Sequence, residues 1–147
     1  RQLAFVAVQS RPEVLEGKLA VMAFNGSNYR VLAENLAQNY GLCVDTLARH
    51  VYYIQGGHGG SISCYPYGDA PCPAAGGTVV SGLEYPYMCA VDNTYAKYGG
   101  PTTIIFSEAN VPGSVFAMNS DGSNKRLINT ELNAPMGVKL GCVREQA

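Results

Sequence analysis

The chain has 147 residues, 47% apolar and only 14% charged, with 10 Lys+Arg set against 11 Asp+Glu. That length suits one domain with an ample core, and a charged share well below the usual quarter or so argues against disorder. A near-zero net charge without a Lys/Arg cluster excludes an electrostatic nucleic-acid binder, and no apolar run approaches the roughly 20 residues of a membrane span.

Taken in chain order, residues 3–7 read as a strand with Phe5 at its centre, followed by a long loop at 10–17. Residues 19–24 form an apolar strand running into Asn25-Gly26, the strongest short hairpin signal, with a return strand at 29–33. Residues 36–45 are the next strand region, ending in Asp45, and 51–55 is a strand centred on Tyr53. The run Gly56-Gly57-His58-Gly59-Gly60 resembles a phosphate or metal loop, but no helix and no Lys-Ser/Thr follow it, so it reads as a flexible crossing between strands. Residues 83–92 parallel 36–45 at an offset of 47, and 104–108, centred on Phe106, match 3–7 and 51–55. Residues 115–124 repeat 19–28 at an offset of 96, with Asp121-Gly122 at the turn, and 132–141 parallel 83–92 at an offset of 49.

The chain is therefore one domain, 1–147, of three units of about 48 residues: about 1–45, 46–92 and 93–143. Four antiparallel strands per 40–50 residues is the signature of a propeller blade. The expected fold is all-β, a β-propeller with three four-stranded antiparallel blades per chain. The first unit opens directly at its second strand, while 137–143 is a spare innermost strand. That arrangement predicts a head-to-tail homodimer of two half-rings, six blades with no open sheet edge. The alternative is a stretch of a longer propeller whose other blades lie elsewhere.

These units resemble the YWTD repeats (class B repeats) of the low-density lipoprotein receptor and nidogen, which form six-bladed β-propellers. The third unit carries the resemblance best, in Ile104-Ile105-Phe106-Ser107-Glu108, then Asp121-Gly122-Ser123-Asn124, then Leu132-Asn133-Ala134-Pro135-Met136-Gly137. The second has Val51-Tyr52-Tyr53-Ile54-Gln55 and Val80-Ser81-Gly82-Leu83-Glu84-Tyr85-Pro86. The chain departs from the family in having no Trp, and no unit ends its first motif in Asp. Family calcium or ligand residues are therefore not carried over. The resemblance implies an extracellular binding scaffold and a structural role for Asp45 and Asp92, bonding the backbone of a neighbouring blade. A cation site at these carboxylates is the competing reading.

A four-strand meander alternates its loops between two faces. One face collects Tyr40, Tyr85, Tyr87 and Met136 with His58, Arg11, Glu13 and Asn110. Exposed loop aromatics are common anchors for a protein or sugar partner; the structural alternative is packing between blades. His50, just ahead of a strand, reads as structural or solvated.

Five cysteines without a Cys-x-x-Cys pair, and only two histidines, argue against structural zinc. Cys64 and Cys72 flank a Pro/Gly-rich loop that a local disulfide would close, which would place the chain in an oxidising compartment. Cys43 and Cys89 lie on equivalent strands one position out of step, so alternation is expected to turn them to opposite faces and keep them apart. Cys142 falls at the expected subunit junction and is a candidate for an interchain bridge. Asn25-Gly26-Ser27 fits a glycosylation sequon already explained by its turn.

The function expected is non-enzymatic: an extracellular or secreted protein that binds a protein or glycan partner through the loop face, with no cofactor, metal, nucleic acid or membrane insertion. A carbohydrate-binding lectin on the same scaffold is the alternative. A calcium-dependent propeller hydrolase would need several Asp, Glu or Asn on innermost strands. Those strands offer Asp45 and Asp92 at their ends and otherwise Leu42, Val44, Ala90, Val91 and Val138.

Overall fold

The computed structural model describes residues 2–8 and 15–141. Arg11, Glu13 and Cys142 lie outside the described residues. Strands β1 (Leu3–Val8), β2 (Gly17–Ala23) and β3 (Arg30–Leu36) make the first sheet. β4 (Asn39–Asp45), β5 (His50–Gln55), β6 (His58–Pro66) and β7 (Thr78–Glu84) make the second, and β8 (Pro86–Asp92), β9 (Thr103–Glu108), β10 (Gly113–Asn119) and β11 (Arg126–Leu132) the third. All pairings are antiparallel between consecutive strands. The chain is all-β, and its sheets have the size and meander order of propeller blades.

Period-two alternation decides where the core sits. In the second sheet Cys43, Tyr52 and Cys64 stand in one cross-strand row, and Val44, Val51 and Tyr65 in the next. The first row turns with Ile54 and Ile62 toward Cys89, Ile104, Phe106 and Met118 of the third sheet. The second row turns with Leu42 and Tyr53 toward Phe5, Leu19 and Leu36 of the first. The second sheet is thus buried on both faces, which is why β5 is apolar on alternate and intervening positions alike.

The face-to-back stacking also brings Cys43 and Cys89 together, as a disulfide with Cα atoms 5.5 Å apart. Opposite-pointing side chains on equivalent strands were expected to keep them apart. In stacked blades one sheet's front meets the next sheet's back, so opposite pointing is what lets them meet. Cys64 and Cys72 form a second, local bridge across eight residues.

Each outermost strand is bulged, with its register shifting at two or three places. Asn35, Gly82 and Glu131 adopt left-handed φ of 59°, 71° and 63°, and three residues later Gln38, Tyr85 and Ala134 do so again. The register shifts in the same stretches, so a β-bulge re-aims each outer strand as it crosses toward the next sheet.

By pairing, β1 corresponds to β5 and β9, so among the described residues the first sheet has no innermost strand. Residues 137–141, expected as a strand, form no ladder. β4 and β8 hold their places by pairing with the strand that follows their turn, and 137–141 has no such strand among the described residues.

Candidate functional site

The crossings at 37–38, 56–57, 85 and 109–112 converge on one face. Tyr40 and Tyr87, from the equivalent strands β4 and β8, stack with ring centroids 4.9 Å apart and planes 17° from parallel. The Tyr40 ring lies against Gly56, close enough that a Cβ there would collide with it. The left-handed bulge throws Tyr85 outward, half of its surface exposed. Its N–H donates to the Gly57 carbonyl at 3.0 Å, and its carbonyl accepts from the Ala109 N–H at 2.9 Å. Three successive crossings are thereby tied edge to edge.

His58 pairs with Glu84 at 2.8 Å between Nδ1 and Oε2. Both groups are solvent-exposed, so the pair orients the rim more than it stabilises it. Glu108 accepts from the Glu84 N–H at 3.2 Å. The Asn110 amide oxygen is buried beside this rim without a hydrogen-bond partner among the described residues.

Of the residues singled out from sequence, Tyr40, Tyr85, Tyr87, His58 and Asn110 lie on this face. Met136 is exposed near Pro135, which abuts Gly113. Arg11 falls outside the described residues. Glu84 and Glu108 were not singled out, although their places next to Tyr85 and Ala109 at two strand ends were available as a signal.

The opposite face is held by Asp45. Its side chain is fully buried and accepts from Leu47 N–H at 2.9 Å, Ala48 N–H at 3.0 Å, Asn93 Nδ2 at 2.9 Å and Thr102 Oγ1 at 3.2 Å. Burial alone would raise its pKa; the bonds from Asn93, Ala48, Leu47 and Thr102 outweigh that and hold it below the ordinary aspartate value. Asp92, the equivalent residue of the third sheet, accepts from Thr94 N–H at 3.0 Å within its own turn, and its contacts with Thr94 lower its pKa also; the expected bonds to a neighbouring blade's backbone are thus replaced, at Asp45, by bonds from the Asn93 and Thr102 side chains. His50 is buried, with Nε2 3.1 Å from the Ala70 carbonyl oxygen, a structural position. Asn25 takes Ser27 N–H and Oγ onto its own Oδ1 at 3.1 and 2.6 Å, closing the turn at an exposed hairpin tip. No group of three or more His, Cys, Asp or Glu converges among the described residues, and no helix there is long and apolar enough to cross a membrane.

No protein-family model matches this sequence, and no curated protein matches it. Among solved structures, a chain in the crystal structure of a nidogen/laminin complex superposes with a TM-score of 0.68 at 14% identity, covering 90% of this chain and 46% of that one. The likeness is one of fold, and the resemblance read from the repeats holds at that level. This chain spans less than half the length of that neighbour.

Proposed function

We propose that this chain is a non-enzymatic, extracellular binding module of the β-propeller type that engages a protein partner through its tyrosine face. The observation that carries the reading is the Tyr40–Tyr87 stack with exposed Tyr85 beside it. Large rigid aromatics joined by backbone bonds give contact area at low entropic cost, the character of interface hot spots. Two disulfides are in keeping with an oxidising compartment. The structure it resembles is a protein–protein complex, of nidogen with laminin, which supports a protein partner over a glycan. In this reading the three sheets are part of a ring, completed either by a second copy, six blades in all, or by blades from elsewhere.

Surface plasmon resonance against laminin and other matrix proteins, beside a glycan array, tests the assignment. The expected result is a protein ligand whose affinity falls about tenfold or more in Tyr87→Ala. Binding to a sugar alone would reassign the chain as a lectin, and binding indifferent to Tyr85 and Tyr87 would remove this face from consideration.

A further inference from the structure

Between the first and second sheets, at the hairpin-turn side away from the tyrosines, lies a cavity of about 930 Å³. Phe5, Val44 and Tyr67 wall it, and Thr46, Arg30 and Arg49 stand with Gln2 and Asn28 among its polar lining. Among the described residues no carboxylate lines it, and neither guanidinium has an acidic partner. Arg49 instead lies over the Tyr67 ring, 5.7 Å from its centroid, with Nη2 donating a long 3.5 Å bond to the Tyr67 carbonyl. Among the described residues strand β1, which borders the cavity, pairs only with β2, and these residues leave a row of its backbone donors and acceptors open for strand addition.

The junction between the second and third sheets shows how the same place is filled one step along. There the innermost strand β4 ends in Asp45, whose carboxylate takes Asn93 Nδ2 and Thr102 Oγ1. Asn93 directly follows β8, and Thr102 directly precedes β9. One sheet back, the residue directly after β4 is Thr46 and the residue directly before β5 is Arg49. A strand added to β1 as β4 is added to β5 would carry its terminal carboxylate to the Thr46 hydroxyl and the Arg49 guanidinium, with Arg30 in the same lining. An arginine thus replaces a hydroxyl as donor, and its fork suits carboxylate recognition. In the chain's own repeat of that strand, Gly141 stands where Asp45 and Asp92 stand, so it has no carboxylate to offer at that point.

From this geometry we propose that the cavity is a socket for an extended, apolar strand from outside residues 1–147 that ends in Asp or Glu. The proposal rests on the propeller reading above, in which strands from outside complete the first sheet.

Fluorescence anisotropy with labelled peptides tests it. The probe is the sequence of residues 39–48 with Cys43→Ser, which ends its strand in Asp45, beside its Asp45→Asn twin and a peptide of residues 135–144 with Cys142→Ser. The acidic peptide is expected to bind the intact chain roughly tenfold more tightly than its amide twin. Arg49→Gln should abolish that preference, and Arg49→Lys should keep part of it, with far-UV circular dichroism confirming the fold of each variant. Equal binding of the twins overturns carboxylate recognition while leaving strand addition standing. If no peptide binds, the strand-addition reading falls with it. Equal binding of the 135–144 peptide overturns the foreign strand in favour of a second copy.

Discussion

Asp45 makes four hydrogen bonds, two within its own turn and two across to the third sheet. Its folded pKa is depressed, burial being outweighed by those donors. Such a group stabilises the fold above its unfolded pKa, near 3.9, and the contribution is lost as pH falls through the lower folded value. Wild-type stability should therefore decline with acidification below about pH 5. Asp45→Asn presents an amide to donors that need an acceptor and is expected to cost about 2–4 kcal/mol near neutral pH, with a shallower acid limb. Urea midpoints between pH 3 and 7 check this; parallel curves for the two proteins would show that Asp45 is not the titrating contributor. A structural role for Asp45 was implied by the family resemblance, and the repeat at Asp92 marked only its equivalent place 47 residues on. The partner of Cys43 was not legible. Alternation along a strand is readable from sequence, but whether two strands share a sheet or face each other across a gap is a fact of packing.

At the level of elements, the two bridges differ in what they hold. Cys43–Cys89 closes a 46-residue separation between sheets, and Cys64–Cys72 one of eight residues within a single sheet's loop. Loop-closure entropy assigns them about 4 and about 2.5 kcal/mol respectively. Replacing both cysteines of the first bridge by Ser should lower the urea-derived stability more than the same change at the second, and a reversed order would mean that native-state packing outweighs chain entropy. The bulge at Tyr85 allows a cleaner test of the binding face. Its left-handed backbone costs roughly 1–2 kcal/mol for a side-chain-bearing residue, while glycine's freedom when unfolded offsets about 1 kcal/mol of the relief. Tyr85→Gly should therefore leave stability within about 1 kcal/mol of wild type and still weaken partner binding. A large loss of stability would identify the ring as a packing element instead. The strands themselves were legible, because alternation and Asn-Gly or Asp-Gly turns recur at fixed offsets. The bulges were not, since Asn35 and Glu131 carry no glycine to mark a left-handed turn, and the cavity's Arg30 and Arg49 belong to no local motif.

Across the whole molecule, the second sheet buries both of its faces and the first and third bury one each. Protection should follow that order. Hydrogen exchange read by mass spectrometry is expected to be slowest in β5 and β6, where Tyr52, Ile54 and Ile62 are fully buried, and fastest in β1 and β3 of the three-stranded sheet. Because Gly141 stands where a carboxylate would enter the socket, the isolated chain is expected to scatter light as a 15.6 kDa particle. A mass of twice that would mean that two copies close the ring and that residues 137–143 supply the missing strand without a carboxylate. Exchange separates the two routes directly. An acidic-ended strand that docks on β1 pairs its open edge, so β1 amides should slow on adding the peptide while β11, at the far edge of the third sheet, keeps its rate. Slowing of residues 137–141 together with β1 would require both ends of the chain to be engaged at once, which a single added strand cannot do and a second copy, packed head to tail, would.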